Sequence, residues 1–178
     1  WKNQSIISNN ASNIVDSHLD LHIPNLWNKS IKENAMIYLF QEHKREFQKI
    51  ISYPQDVKAY TIDTTFKEIG FKLDAKTQLL VFDAVIDSED NEYMYGRYKK
   101  NKVLNHSVGM MYVKMYFCMN SDSKWDVEEK ENWDKYYDLV ANKDFVDQYG
   151  YFWAVTEAKV IEGSAVPLGS NPATPTMN

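Results

Sequence analysis

The sequence contains a single cysteine, Cys118, among its 178 residues. One cysteine excludes an internal disulfide and a metal site of the paired-cysteine type, so a reducing compartment such as the cytosol is expected. No apolar run approaches the roughly 18 residues that a membrane-spanning helix needs. A glycine-rich phosphate loop with its lysine is also missing, so the sequence gives no support for nucleotide binding.

Basic residues are in deficit, with 20 Lys and Arg against 25 Asp and Glu and a formal charge of −5. This balance argues against broad binding to a nucleic-acid backbone. The hydrophobic share of 44% and the charged share of 25% are ordinary for a globular protein, which excludes disorder for most of the chain. We expect one domain over residues 1–167, followed by a proline-rich loop and a frayed end over residues 168–178.

Glycine and proline are scarce, with six and five copies, which favours regular elements joined by short connections. Stretches rich in β-branched and aromatic residues predict strands over residues 36–40, 57–66, 78–87, 103–120 and 151–166. Helical spacing of apolar residues predicts helices over residues 24–34, 92–100 and 123–148, the last with a break at Asn142. The sequence therefore predicts an α+β fold with a mainly antiparallel sheet or barrel surrounded by helices.

The four histidines limit the imidazole chemistry to a short set of candidates. His18 and His22 flank Asp20, and on a strand these three side chains would share one face, as metal ligands would need. The same alternation is typical of a solvent-facing strand edge or loop, which we favour, and we predict no metal site. His43 directly follows the predicted strand 36–40, at a strand end where catalytic histidines often occur, although a solvated surface histidine is the alternative.

A serine and two glutamates are further candidates on the predicted strands. Ser107 follows His106 directly, so their side chains point to opposite faces and a different histidine would have to act as its base. Gly109 leaves room for backbone or substrate to approach. One of Glu157 and Glu162 is at an odd position and the other at an even position, so on a regular strand they point to opposite faces and only one can face a given site. An exposed salt bridge is the alternative role for either. Cys118 is expected to be a buried core thiol.

Four short segments are informative when they are taken together in their order along the chain. They are Asp-Ser-His through Trp at 16–27, the run containing Gln-Glu-His-Lys at 36–44, His-Ser-Val-Gly-Met at 106–110, and Glu-Gly-Ser-Ala-Val-Pro-Leu-Gly-Ser-Asn-Pro-Ala at 162–173. In this order the sequence resembles the prohead maturation proteases of tailed phages, a family that shares its fold with the herpesvirus assemblins. The variant of phages and prophages of gut Bacteroidetes is the most similar.

The resemblance implies a serine endopeptidase with Ser107 as nucleophile, His43 as general base and Glu162 as the third residue, with Glu157 as the fallback. By analogy with the assemblins, it also implies an oxyanion hole formed by the backbone N–H groups of Ser170 and Asn171. The sequence departs from the family in two places. His106 stands where the family has leucine, and residues 167–173 replace the usual Pro-Ala-Asn.

The resemblance further implies that the enzyme cleaves scaffold and major capsid protein inside the assembling prohead, in the cytoplasm of the bacterial host, and that it cleaves itself. No cofactor, nucleic-acid partner or membrane partner is expected. A homodimer is consistent with the family, with the predicted helix over residues 123–148 as its exposed apolar contact. The alternative is a catalytically inactive scaffold or binding domain of the capsid with the same fold.

Overall fold

The computed structural model describes residues 1–33 and 36–177. Its strands are β1 (Lys2–Ala11), β2 (Asp20–His22), β3 (Tyr38–Gln41), β4 (Ile50–Ser52), β5 (Val57–Thr65), β6 (Lys76–Asp87), β7 (Asn105–Met119) and β8 (Tyr151–Val166). Its α-helices are α1 (Asn28–Glu33), α2 (Glu92–Lys99), α3 (Val127–Tyr136) and α4 (Lys143–Tyr149). Short 3-10 turns cover Phe47–Lys49, Pro54–Asp56 and Tyr137–Leu139.

The first sheet is antiparallel and has the strand order β1-β6-β5. Its central strand β6 is buried on both faces: Leu80 and Phe82 belong to the main core, while Leu79 and Val81 pack in a second cluster with Phe66. Burial on both faces explains why β6 contains an almost continuous apolar run instead of a strict alternation.

The second sheet is mixed and is built around β8. The long strand β7 pairs with β8 in antiparallel register, and β2 and β3 both run parallel to β8, with β4 antiparallel to β3. The two sheets share the main core, in which Ile7 and Phe82 of the first sheet pack with Val155 and Val160 of the second.

The predicted α+β class is confirmed, whereas a barrel is not formed. Within the described residues the protein has two open sheets, one antiparallel and one mixed, and no barrel closes. The barrel alternative is wrong because β7 pairs on one edge alone and the first sheet ends at β1 and β5. Residue patterns give the faces of strands, but closure depends on pairings between distant strands.

Most predicted elements are present with small shifts in their ends. The strand predicted over residues 151–166 matches β8, and those over 57–66, 78–87 and 103–120 match β5, β6 and β7 within two residues at each end. The strand predicted over 36–40 is β3, displaced towards Gln41. Strands β1, β2 and β4 were not predicted; in β1 the cause is a run of polar residues that are nevertheless buried, Ser5, Ser8, Asn9 and Asn10.

The three predicted helices are present, but those predicted from residues 24 and 123 begin four residues later, at Asn28 and Val127. The predicted helix over 92–100 is α2, and the long one over 123–148 is divided into α3, a 3-10 turn and α4, with the break at Asn142 as expected. The side chain of Asn142 accepts from the Val15 N–H at 2.8 Å and donates to the Val15 carbonyl at 2.9 Å. The helix predicted over 24–34 begins at Asn28, and its last residue lies outside the described residues.

The C-terminal segment is a loop, but its expected fraying is wrong up to residue 177. Asn171, Ala173 and Thr174 are buried, and the Asn171 amide donates to the Ala11 carbonyl at 2.8 Å. Thr176 forms an antiparallel bridge with Ile7. The segment therefore forms backbone and side-chain hydrogen bonds with β1, and the polar residues of β1 supply partners for them. Residue 178 lies outside the described residues.

No helix in the described ranges is long and apolar enough to cross a membrane.

Candidate active site

His43 lies in a tight turn immediately after β3. Glu42 and His43 both adopt the left-handed backbone region, with φ of 55° and 59°, which is uncommon for residues other than glycine. The Glu42 N–H donates to the Ala165 carbonyl at 2.9 Å, and the His43 N–H donates to Ser164 Oγ at 3.1 Å. These bonds to β8 hold the turn against the strand and place the imidazole beside Glu162.

The carboxylate of Glu162 is buried, and each of its two oxygens has a hydrogen-bond partner. Its side chain is 3% exposed, and its Oε1 lies 2.7 Å from Nδ1 of His43. Its Oε2 accepts a hydrogen bond from Ser164 Oγ at 2.7 Å. A buried carboxylate needs such partners, because its desolvation would otherwise be costly.

This contact changes the proton affinity of the imidazole. The hydrogen bond and the charge of Glu162 raise the pKa of His43 above 6.5, against the opposing effects of partial burial and of the Arg45 charge. The neutral imidazole donates its Nδ1 proton to Glu162, which leaves Nε2 as the proton acceptor. The side chain of His43 remains 41% exposed, so the ring can be reached from solvent.

Ser107 lies on the same face of the sheet as this pair. In the β7–β8 ladder Ser107 stands directly opposite Ser164, and Gly109 stands opposite Glu162. Directly opposed residues point to the same face, with Cβ atoms about 4.5–5.5 Å apart. Ser107 is partly exposed, and in the described part of the chain its hydroxyl is not hydrogen-bonded to His43.

The space at Gly109 is filled by the Glu162 carboxylate. A Cβ built at position 109 would lie 2.1 Å from Glu162 Oε1, closer than any side chain permits. The sequence suggested that this glycine leaves room for backbone or substrate; the structure shows instead that it leaves room for a side chain of the neighbouring strand.

His106 points to the opposite face, as the alternation predicted. It is fully buried, with Nε2 3.0 Å from the Tyr98 hydroxyl and Nδ1 3.2 Å from the Thr174 carbonyl. Burial lowers the pKa of His106 to about 4. It is a core histidine and does not face Ser107.

Glu157, the fallback for the third residue, lies in a different environment. Its carboxylate forms ion pairs with Lys29 and Lys114, each at 3.3 Å, and these cations lower its pKa. Of the two glutamates, it is Glu162 that the fold brings to His43.

The His18, Asp20 and His22 group does not converge as a strand pattern would require. His18 is exposed in a turn before β2, while His22 is buried with its Nε2 3.2 Å from the Tyr112 hydroxyl. The same hydroxyl donates to Asp20 at 2.6 Å. The oxygen and nitrogen atoms that cluster within 4.8 Å are those of Asp16, His18 and Asp20, so His22 is not part of this group.

The segment proposed for the oxyanion hole passes close to the serine strand. A Cβ built at Gly169 would lie 2.8 Å from the His106 carbonyl, one residue before Ser107. Within residues 1–33 and 36–177, the backbone N–H groups of Ser170 and Asn171 donate no hydrogen bond, although the Asn171 side chain is anchored to β1.

Cys118 is buried on β7, where burial raises its pKa to about 12, as expected for an unreactive core thiol.

Ser164 is the residue of this site that the sequence did not single out. The available signal was its spacing, because on a strand a residue two positions after Glu162 points to the same face. Serine in a strand is common, so the spacing by itself did not distinguish it.

No protein-family model, curated protein or solved structure matches the chain. The site geometry is therefore the basis for any assignment of function.

Proposed function

We propose that this protein is a serine endopeptidase of the prohead-protease type, with Ser107 as nucleophile, His43 as general base and Glu162 as the residue that orients the imidazole. The observation that carries the proposal is the 2.7 Å bond between His43 Nδ1 and Glu162 Oε1, beside a partly exposed serine on the same face of the sheet. A carboxylate, an imidazole and an alcohol in this arrangement are the parts that acyl transfer needs.

The chemistry begins with the serine hydroxyl, which is a weak nucleophile at neutral pH. Ser107 Oγ attacks the carbonyl carbon of the scissile peptide bond while His43 Nε2 takes its proton. The imidazolium then gives that proton to the leaving amine as the C–N bond breaks. Water attacks the resulting ester through the same base, which releases the acid and restores the Ser107 hydroxyl.

The proton transfer requires Ser107 Oγ and His43 Nε2 to come within about 2.6–3.2 Å in the substrate complex. Such hydrogen bonds are often long or poorly aligned before substrate binds and tighten in the complex. The developing oxyanion needs fixed donors, for which the backbone N–H groups of Ser170 and Asn171 are our candidates. One such donor is typically worth on the order of 3 kcal/mol in the transition state.

The substrate class follows from the family resemblance. We propose that the enzyme cleaves scaffold polypeptides and the major capsid protein during prohead maturation, and that it trims its own chain. The second function, an inactive capsid-associated binding domain of the same fold, is an outcome of the following test.

The test is covalent labelling with a fluorophosphonate, which reacts with activated serine hydroxyls. We expect the wild-type protein to be labelled, and His43→Ala to be labelled at least about 100-fold more slowly, because general-base catalysis contributes a factor of this order. Circular dichroism would establish that both proteins are folded. Absence of labelling in folded wild-type protein would favour the binding domain.

A further inference from the structure

Ser164 links Glu162 and His43 of the candidate site through one hydroxyl group. It lies on β8 two residues after Glu162 and is fully buried. Its Oγ donates to Glu162 Oε2 at 2.7 Å and accepts from the His43 N–H at 3.1 Å. The same oxygen therefore contacts the carboxylate that binds the imidazole and the backbone of the residue that carries it.

These bonds exclude Ser164 as the nucleophile. A serine has one hydroxyl proton, and that proton is directed to a carboxylate instead of to an imidazole nitrogen. With no surface exposed to solvent, Ser164 is also unable to meet a peptide substrate. Ser107, directly opposite on β7, is the partly exposed serine of the pair.

The carboxylate depends on this donor for its orientation. The terminal torsion of a glutamate has a broad energy profile, so hydrogen bonds decide where its two oxygens point. Oε1 is directed to His43 above Gly109, and Oε2 is held by Ser164. Without the Ser164 hydroxyl, Oε2 would be a buried acceptor without a donor, which costs free energy. The carboxylate would then rotate away from the imidazole towards other donors.

The turn that carries His43 depends on the same hydroxyl. A positive φ at a residue other than glycine costs free energy and persists only where neighbouring contacts enforce it. The bond from the His43 N–H to Ser164 Oγ holds this turn against β8, together with the bond from the Glu42 N–H to the Ala165 carbonyl.

We propose that Ser164 is a positioning residue: it fixes Glu162 Oε1 on His43 Nδ1 and holds the His43 turn, so that Nε2 stays available as the proton acceptor. The catalytic consequence rests on the proposed function. The positioning of the imidazole is a property of the folded chain and can be measured separately.

The first measurement is the NMR titration of His43 in wild-type protein and in Ser164→Ala. We expect the pKa of His43 to fall towards its ordinary value in the variant, and its Nδ1 proton to exchange faster with solvent, because the bond to Glu162 is populated less. Ser52→Ala is the matched control: Ser52 is equally buried in the same sheet, but its hydroxyl donates to the Val85 carbonyl at 2.7 Å. An unchanged His43 titration in Ser164→Ala would overturn the proposal.

The second measurement is the rate of fluorophosphonate labelling in a double-mutant cycle. Misplacement of a catalytic group by about 1 Å can cost two orders of magnitude in rate, so we expect Ser164→Ala to slow labelling at least about tenfold. In a Glu162→Gln background, the same substitution should slow labelling much less, because the carboxylate through which Ser164 acts is already absent. Equal effects in both backgrounds would contradict a role through Glu162.

Ser164→Thr keeps the hydroxyl and should restore most of the labelling rate and of the His43 titration. If Ser164→Ala does not fold, Ser164→Cys keeps nearly the same size with a weaker donor and serves for both measurements. If folded wild-type protein is not labelled at all, the proposed protease function fails, while the His43 titration still decides the role of Ser164.

Discussion

Gly109 and Glu162 stand directly opposite each other across the β7–β8 pair, and the Glu162 carboxylate occupies the space that a side chain at position 109 would need. The missing side chain on one strand therefore permits the buried carboxylate on the other. The contact between Glu162 and His43 depends on this pairing as much as on the two residues themselves.

The Gly109→Ala substitution should accordingly damage the site. A Cβ 2.1 Å from Glu162 Oε1 forces the carboxylate away from His43, so we expect labelling at least about tenfold slower. Overpacking of this kind should also destabilise the fold by about 1–3 kcal/mol, measured by urea unfolding. Gly96→Ala is the control, since nothing lies within 4 Å of a Cβ at that helical position. Equal labelling rates for the Gly109 and Gly96 variants would contradict the account.

The pH dependence of labelling should report the ionisation of His43. Because Glu162 raises the pKa of His43, the imidazole stays protonated above pH 6.5 and becomes a base as the pH rises further. We expect the labelling rate to rise through this higher pKa, and Glu162→Gln to move the rise to lower pH while reducing the maximal rate. Glu157→Gln should leave the profile in place, because its carboxylate contacts Lys29 and Lys114 instead. A profile that Glu162→Gln does not move would count against this pairing.

Two buried histidines should make the fold sensitive to acid. Burial lowers the pKa of His22 and of His106 to about 4, below the ordinary value of 6.5, so the unfolded chain binds more protons than the native one in this interval. Stability contributed by the neutral forms is present above pH 6.5 and is lost as the pH falls towards 4, by up to about 1.4 kcal/mol per pH unit for each histidine.

His106→Leu tests this effect by removing one of the two titrating groups. Although the variant loses hydrogen bonds to Tyr98 and Thr174, its unfolding free energy should decline less steeply between pH 6.5 and 4 than that of the wild type. Urea unfolding at several pH values gives both slopes, and equal slopes would refute the assignment to His106. The His43–Glu162 pair acts with the opposite sign: its contribution is complete below pH 6.5 and is lost as the pH rises through the raised pKa of His43.

The C-terminal segment should contribute to stability. The Asn171 amide donates to Asn10 Oδ1 at 3.1 Å and to the Ala11 carbonyl at 2.8 Å, both in buried surroundings. We expect Asn171→Ala to lower the free energy of unfolding by about 1–3 kcal/mol, because these acceptors lose their donor. Leu168→Ala, at a position 88% exposed in the same segment, should change it by less than about 0.5 kcal/mol. Indistinguishable variants would show that the segment is not part of the cooperative fold.

The sequence predicted the local elements well and the long-range pairings poorly. β8 was bounded correctly because Gly150 and Pro167 mark its ends, and β7 because few turn formers interrupt it. β1 was missed because its buried serines and asparagines look like a surface segment; their partners lie far away, as when Ser8 donates to the Ala173 carbonyl at 3.2 Å.

The same limit applies to the site. Regular alternation predicts Glu157 and Glu162 on different faces, but a register shift in the β7–β8 pair between Val160 and Glu162 interrupts that alternation. The alternation therefore did not decide which glutamate meets His43, because that depends on the register of β3 along β8. Nor did it identify Ser164, whose importance comes from two bonds to residues that only the fold assembles.

Ser107, the nucleophile that we propose, should carry the fluorophosphonate adduct, and mass spectrometry of the labelled protein locates that adduct directly. Tryptic cleavage after Lys102 and Lys114 yields the peptide of residues 103–114, in which Ser107 is the sole serine, while Ser164 falls in the peptide that follows Lys159. We expect the adduct on peptide 103–114 in the wild type and its complete loss in Ser107→Ala, which should remain folded and cleave no peptide bond. An adduct on another peptide, or labelling and cleavage that persist in Ser107→Ala, would contradict the account.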